Sequence, residues 1–268
     1  MYGEGLDVSL KEGPVGAFPY SFDRVATIYD QSRWLPDEVV ARIVSEISGI
    51  HPGGRLLEVG VGTGRLSIPL QRAGLPVVGT DVSSQMICLG VKKGARGLLL
   101  ADALHLPFID KTIGTAMTNR VLHLLADWRM ALREVCRVTR DTYLSVLERE
   151  SADPDVDAEY SRLVEAAGGE TKRPGIYERD LAARLPPEKR IRIGTVTAKV
   201  PASEVISMLE RRVYSSQWRI PEPSHHEAIE SVREQFDGMT VTTRNEVEIV
   251  VWSVQRLGGY VDADQLGT

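Results

Sequence analysis

Short apolar runs recur through the first half of the chain at a nearly fixed step. Arg55–Val59, Pro76–Thr80 and Gly97–Ala101 each begin 21 residues after the one before, and Ile113–Thr118 and Thr142–Leu147 follow. Short β-rich runs separated by helix-length sequence read as parallel strands joined by helical crossovers. The spacing predicts those helices at Leu66–Gln71, Ser83–Lys93 and Trp128–Val138. No residue motif repeats with the step, so the pattern is βα alternation and not a solenoid.

After Leu147 the pattern changes. Asp153–Ala167 reads as a helix ended by Gly168-Gly169, and Ile176–Arg184 as another, so that 151–186 forms a helical segment. Arg190–Val200 alternates like a strand, Ser203–Tyr214 and Ser224–Phe236 are amphipathic helices, and Val241–Leu257 reads as a long strand. Joined directly, the last two strands would form a hairpin. About 40 residues of mostly helical sequence separate them, far above the usual hairpin loop. The stretch 203–237 is therefore expected to be a helical lid or binding insertion. Residues 1–268 read as one domain: an α/β fold with a mostly parallel seven-stranded sheet, helices on both faces and a helical insertion before the last strand.

The first run leads into the densest chemistry of the chain: Leu56-Leu57-Glu58-Val59-Gly60-Val61-Gly62-Thr63-Gly64-Arg65. Glycines on alternate positions let a backbone turn tightly and approach a ligand closely. A dinucleotide fingerprint, G-x-G-x-x-G, requires a sixth-position glycine, and here that position is Arg65. An acid at the mouth of the loop repels pyrophosphate but suits an ammonium group. Ligands of such sheets lie at the carboxyl ends of the strands, where two more acids stand. Asp81, 23 positions after Glu58, can accept from both hydroxyls of a ribose. Asp102-Ala103 closes the third run. Either acid also suits a helix N-cap, and for the helix after Asp81 Ser83 is a second candidate cap.

The E-x-G-x-G-x-G pattern from Glu58 to Gly64 resembles the first motif of class I S-adenosylmethionine-dependent methyltransferases. That resemblance implies a Rossmann-like methyltransferase fold with S-adenosylmethionine as cofactor. Gly60, Val61, Gly62, Thr63 and Gly64 would wrap its methionyl part, with Glu58 near the amino group. Asp81, followed by Val82 and Met86, would hold the ribose, and Asp102 with Ala103 the adenine. Leu106-Pro107-Phe108 with Asp110, and Asn119-Arg120-Val121-Leu122-His123, resemble the small-molecule group that includes the ubiquinone/menaquinone C-methyltransferases. There Asn119, Arg120 and Val121 would line the donor channel. Phe22-Asp23-Arg24-Val25-Ala26 through Tyr29, Asp30 and Arg33 is similar to the N-terminal helix that closes over the cofactor, placed at 20–34, with Tyr29 and Arg33 as contacts. Residues 35–150 are then the cofactor-binding core. The likeness spans roughly Phe22 to Leu147. It departs from the group at Gly114, where an acid is usual, and at Thr139-Arg140-Asp141, where Pro-Gly-Gly is usual.

Composition limits the partners. A net charge of −5 over 268 residues argues against a general nucleic-acid or anionic-membrane surface. Cys88 and Cys136 are the only cysteines and form no C-x-x-C pair, so neither a disulfide framework nor a zinc site is expected. Met1–Lys11 lacks a basic region followed by an apolar core, and a cytoplasmic, metal-free enzyme with a small-molecule substrate is the expectation. The activity implied is methyl transfer by in-line displacement. His123 is either a general base or a core-edge histidine. Tyr214, Trp218 and Arg219, with Arg211 and Arg212, are either substrate contacts or a solvated face holding one packed Trp. A tRNA or protein methyltransferase, and a catalytically silent cofactor-binding protein, remain as alternatives. No Asn/Asp-Pro-Pro-aromatic turn follows the fourth run and no Pro-Cys pair is present, which argues against base-amino and cytosine C5 methylation.

Overall fold

The computed structural model describes residues 22–26, 29–30 and 33–263. The expected helix 20–34 falls only partly among them: Phe22–Val25 is a 3-10 turn, while residues 20, 21, 27, 28, 31 and 32 lie outside, as do Met1–Lys11.

Seven strands form one sheet: β1 Arg55–Val59, β2 Val77–Asp81, β3 Leu98–Leu100, β4 Ile113–Thr118, β5 Thr139–Asp153, β6 Lys189–Pro201 and β7 Thr240–Ser253, in spatial order β3-β2-β1-β4-β5-β7-β6. The first five in that order pair in parallel. β7 runs antiparallel to both of its neighbours, so the sheet is mixed. The strand order reverses between β1 and β4, which opens a crevice at their carboxyl ends.

Successive strand residues face opposite sides of a sheet, and β1 demonstrates it. Leu57 joins one core with Leu132 and Val135 of the helix Trp128–Val138. Leu56 joins the other with Ile43 and Ile47 of the helix Asp37–Ile50. Both faces are thus covered by helices. The helix Asp37–Ile50 was not anticipated from sequence, although Ile43 and Ile47 keep the one-turn spacing of a buried stripe.

Several boundaries differ from expectation. β5 does not stop at Leu147: the chain turns polar at Glu148, yet pairing with β7 continues to Asp153↔Thr242. The next helix starts at Val156, capped by Asp155, and the following one covers Glu178–Arg184. The run read as one strand over Val241–Leu257 breaks at Ser253. Val254–Ala263 is a helix whose Val254, Leu257 and Val261 are buried, a helical period hidden inside an apolar run.

β4 ends at Thr118, opposite Ser145, so β5, β6 and β7 project beyond it. At their far end the helices Ala202–Glu210 and Glu222–Phe236, inserted between β6 and β7, pack on Val156–Ala166. Tyr160, Val164, Leu209, Ile229 and Val232 close this third core.

Candidate active site

The glycine loop is built by backbone sterics. Gly60, Gly62 and Gly64 have φ of +71°, +54° and +81°, a region that costs L-residues about 1–2 kcal/mol. At Gly60 a Cβ would also overlap the Val121 side chain. The amides of Gly60 and Val61 both donate to the Thr80 carbonyl, at 2.8 and 2.9 Å, which ties the loop to the end of β2. The Gly62 amide donates to Asp81 Oδ2 at 2.8 Å, and Asp81 Oδ1 accepts from the Ser83 amide at 2.9 Å. Burial raises the Asp81 carboxyl above its ordinary value, although the amides of Ser83, Gly62 and Val82 hold it back. Asp81 is not a helix cap. Ser83 fills that role for Ser84–Lys92, its hydroxyl accepting from Met86 N at 3.1 Å.

A cavity opens over this loop at the carboxyl ends of β1, β2 and β4. Ten of the sixteen expected cofactor residues line it: Tyr29, Gly60, Gly62, Asp81, Val82, Met86, Ala103, Asn119, Arg120 and Val121. Phe22, Val59, Thr80, Ala101, Leu124 and Leu125 complete its lining, and the sequence reading assigned none of them to the site. The other six lie elsewhere. Val61 and Gly64 are part of the loop but not of the wall. Asp102 accepts from the Leu104 amide at 2.9 Å, a local turn. Glu58 is buried under the loop, takes a short hydrogen bond from the Ser67 hydroxyl, and burial pushes its carboxyl up to about 7.

Thr63 and Arg33 act at the cavity's edge. The Thr63 hydroxyl donates to Asp30 at 2.5 Å, and Lys93 bridges the pair, 2.7 Å from Asp30 and 3.0 Å from Thr63. That clamp holds the N-terminal segment across the loop. Tyr29 and Phe22 meet edge-to-face with ring centroids 6.0 Å apart, and Phe22 meets Trp218 at 4.9 Å. Arg33 lies 5.0 Å over the Tyr214 ring and 3.7 Å from Glu150. Tyr214 and Trp218 therefore face the N-terminal segment, while Arg219 is exposed. Arg212 donates to the carbonyls of Gln217 and Ile220 and pairs with Glu222, a structural role.

Beside this cavity lies a second with a charged lining that includes His123, Glu148, Arg173, Tyr177 and Glu178. Arg120 lines both. It sits at φ +60°, a strained conformation for a residue with a Cβ, and its guanidinium donates to Glu150 at 2.7 Å. His123 lines only the second cavity, stacked on Tyr177 at 5.0 Å. Burial lowers its ring below the ordinary histidine range, so it is neutral at pH 7. Glu178 Oε1 accepts from the amides of Val121 and Leu122 at 2.7 and 3.0 Å, and Oε2 stands 3.8 Å from His123. Glu148 pairs with Arg65, which also donates to Asn119 at 2.6 Å. Burial would raise Glu148, but Arg65 and Arg120 hold it down to about 2. Glu148, Glu178 and Arg173 carried no sequence signal, because their partners lie tens of residues away.

Residues 57–142, which include the glycine loop, Asp81 and the end of β4, match the methyltransferase-domain family. This part of the chain is similar to methyltransferase domains. The chain is 34% identical over 125 residues to a malonyl-[acyl-carrier protein] O-methyltransferase of Hamiltonella defensa, a match covering 46% of this chain and 48% of that protein. It is 35% identical over 124 residues to a demethylmenaquinone methyltransferase of Streptomyces avermitilis, covering 44% and 54%. The matches thus span about half the length of these curated relatives. Among solved structures, the YcgJ protein of Bacillus subtilis aligns over 81% of this chain and 99% of its own, at 15% identity and a TM-score of 0.50, a likeness of fold.

The lining of the first cavity fits the cofactor of that family in chemistry. A carboxylate offers about four acceptor positions; the hydrogen bonds from Gly62 and Ser83 occupy one on each Asp81 oxygen. Val82, Met86 and Phe22 give apolar walls for a purine and a thioether chain. No helix among the described residues is long and apolar enough to cross a membrane.

Proposed function

We propose that this protein transfers a methyl group from S-adenosylmethionine to a small-molecule acceptor. The observation that carries the reading is Asp81, half-buried on the wall of a cavity at the switch point of the sheet, with a left-handed glycine loop opposite. In this reading Asp81 holds the ribose hydroxyls, Ala103 and Met86 flank the adenine, and Gly60 and Gly62 leave room for the amino-acid end. When bound, the cofactor supplies a sulfonium-activated methyl group to a nucleophile in line with it. The chain's task is then alignment and exclusion of water. Alignment contributes up to about 7–11 kcal/mol, against about 3–5 kcal/mol for a general base. Arg120, set between the two cavities, is the natural partition between donor and acceptor. His123, neutral and in the second cavity, is available as a base on the acceptor side. The two relatives described above are named for different acceptors, so their names select neither. Net charge −5 disfavours tRNA as acceptor.

Calorimetry with S-adenosylhomocysteine tests the reading. The folded protein should bind it, and Asp81→Ala should weaken binding about tenfold, or about 1.4 kcal/mol. No heat from the wild type, or equal affinity in the variant, would count against the site.

A further inference from the structure

The second cavity contains four inner charges with very different surroundings, of which Arg120 is claimed by Glu150 and Glu148. Glu148 is claimed by Arg65 and Asn119. Glu178 is claimed by the amides of Val121 and Leu122. Arg173 lies 5.7 Å over the Tyr177 ring but has no acid or carbonyl partner of that kind. It makes no ion pair within 4 Å among the described residues; its one hydrogen bond is a long contact from Nη2 to Ser216 Oγ at 3.4 Å. Its Nε is buried without a hydrogen-bond partner. A guanidinium presents five donors in a planar fork, and buried polar groups in folded proteins almost always find partners. Glu150, Asp157 and Arg179 also line this cavity but stand exposed at its mouth. Glu150 is occupied by Arg120, and Arg179 lies 4.6 Å over the Tyr177 ring. The interior therefore has two satisfied acids, one satisfied cation in Arg120, and in Arg173 a cation with donors to spare. Beside it stand the stacked rings of Tyr177 and His123, 12° from parallel.

We propose that the second cavity is the acceptor site, and that it takes a small oxyanion, a carboxylate or phosphate ester, held by the Arg173 fork. The body of the acceptor lies along the Tyr177 and His123 rings. The atom to be methylated points past Arg120 toward the first cavity. This assignment of substrate class rests on the methyltransferase reading above. Bidentate pairing of a guanidinium with a carboxylate or phosphate is strong and geometrically selective, so Arg173 sets both affinity and orientation. Lysine offers a point charge in place of the fork.

The test uses the full chain saturated with S-adenosylhomocysteine, titrated by calorimetry with benzoate, phenyl phosphate and the neutral benzamide. At least one anion should bind, about tenfold or more tighter than benzamide. Whichever of benzoate and phenyl phosphate binds tighter distinguishes a carboxylate acceptor from a phosphate one. Arg173→Gln should weaken the anion about tenfold and leave S-adenosylhomocysteine affinity unchanged; Arg173→Lys should fall between the two. Equal binding of anion and amide by the wild type, binding of neither anion, or undiminished anion binding in Arg173→Gln overturns the proposal. Should Arg173→Gln unfold, the anion-to-amide comparison on the wild type and the Arg173→Lys titration still decide. Absence of S-adenosylhomocysteine binding sinks the methyltransferase reading itself. Its presence without anion selectivity sinks only the assignment of the acceptor.

Discussion

The two halves of the sheet build their cavities by different means. On the parallel side, β1, β2 and β4 end together and the first cavity is shaped by backbone: three left-handed glycines, amides aimed at Thr80 and Asp81, and one capping serine. On the antiparallel side, β5, β6 and β7 run on past β4, and the second cavity is shaped by side chains paired across long separations. Arg65 meets Glu148 83 positions away, and Glu178 meets Val121 57 positions away. A wall of backbone tolerates variation of its side chains. A wall of paired charges does not, because removing one partner strands the other in a low-dielectric interior. The first arrangement suits a cofactor that never changes; the second suits a substrate pocket whose residues set its identity.

The sharpest way to break this contrast is Glu148→Ala. The Glu148 side chain is 2% exposed and its Arg65 partner 14%, so the variant leaves a buried guanidinium without its anion. A loss of about 3–5 kcal/mol is expected, measured by urea unfolding at pH 7. The wild type should show the same dependence in acid. With Glu148 held down to about 2 in the folded state, the unfolded chain binds the extra proton. The pair's contribution is then complete above the ordinary carboxylate value and is lost as pH falls from about 4.5 toward 2. If Glu148→Ala unfolds within about 1 kcal/mol of wild type, the antiparallel wall is not held by charge.

The contrast also explains what the sequence revealed. The first cavity was legible because its signals are local. Alternate glycines, an acid 23 residues on and Ser83 three residues before Met86 all fall in one short window. Leu124 and Leu125 were overlooked because an apolar pair beside His123 reads equally as core. Of the second cavity only Arg120 and His123 were singled out. Arg173 lies in a stretch with no periodic pattern of its own and Glu178 opens a helix whose pattern does not say what it packs on, and only docking of that stretch brings them in. Gly175 records this docking: a Cβ there would collide with the carbonyls of Leu122 and Leu125. The long strands were cut short for a related reason. Glu148, Arg149 and Glu150 look like the end of a buried strand, yet β7 pairs with them residue for residue.

On the backbone side the matching test is Gly60→Ala. Left-handed φ costs about 1–2 kcal/mol for an L-residue, and crowding of Val121 adds about 1–3 kcal/mol. A drop of about 2–5 kcal/mol in unfolding free energy is expected, with loss of S-adenosylhomocysteine binding. Gly74→Ala, also at positive φ (+89°) but with open space around it, should lose only the conformational part. Equal losses at the two positions would mean that close packing of the loop on Val121 is unimportant.

Glu58 sharpens the comparison through pH. Its folded carboxyl lies near 7, raised by burial, so the folded chain keeps a proton that the unfolded chain releases. Stability should therefore fall as pH rises from about 4.5 to 7, by about 2–3 kcal/mol at most. Glu58→Gln retains an acceptor for Ser67 and should flatten that slope in unfolding curves taken at pH 5, 6, 7 and 8. A second measurement asks about the ligand. If the amino group of S-adenosylhomocysteine acts on Glu58, the charged form is favoured and binding releases protons near pH 6.5. Calorimetry in buffers of different ionisation heat detects that release, and its absence would leave Glu58 as a structural support of the loop.

The smallest effect is expected at the clamp. Thr63→Val keeps the shape of the buried side chain but removes the hydroxyl between Asp30 and Lys93, while the 2.7 Å Lys93–Asp30 pair remains. A single such hydrogen bond contributes about 0.5–1.5 kcal/mol. Most of it should appear in ligand binding, because Asp30 belongs to the N-terminal segment that brings Tyr29 and Phe22 to the cavity and not to the sheet. We expect S-adenosylhomocysteine affinity to fall about threefold to tenfold with an unchanged melting temperature. A lower melting temperature with unchanged affinity would reverse the assignment: the clamp would then be part of the backbone-built core, and the segment over the first cavity would be held by its aromatic contacts with Trp218.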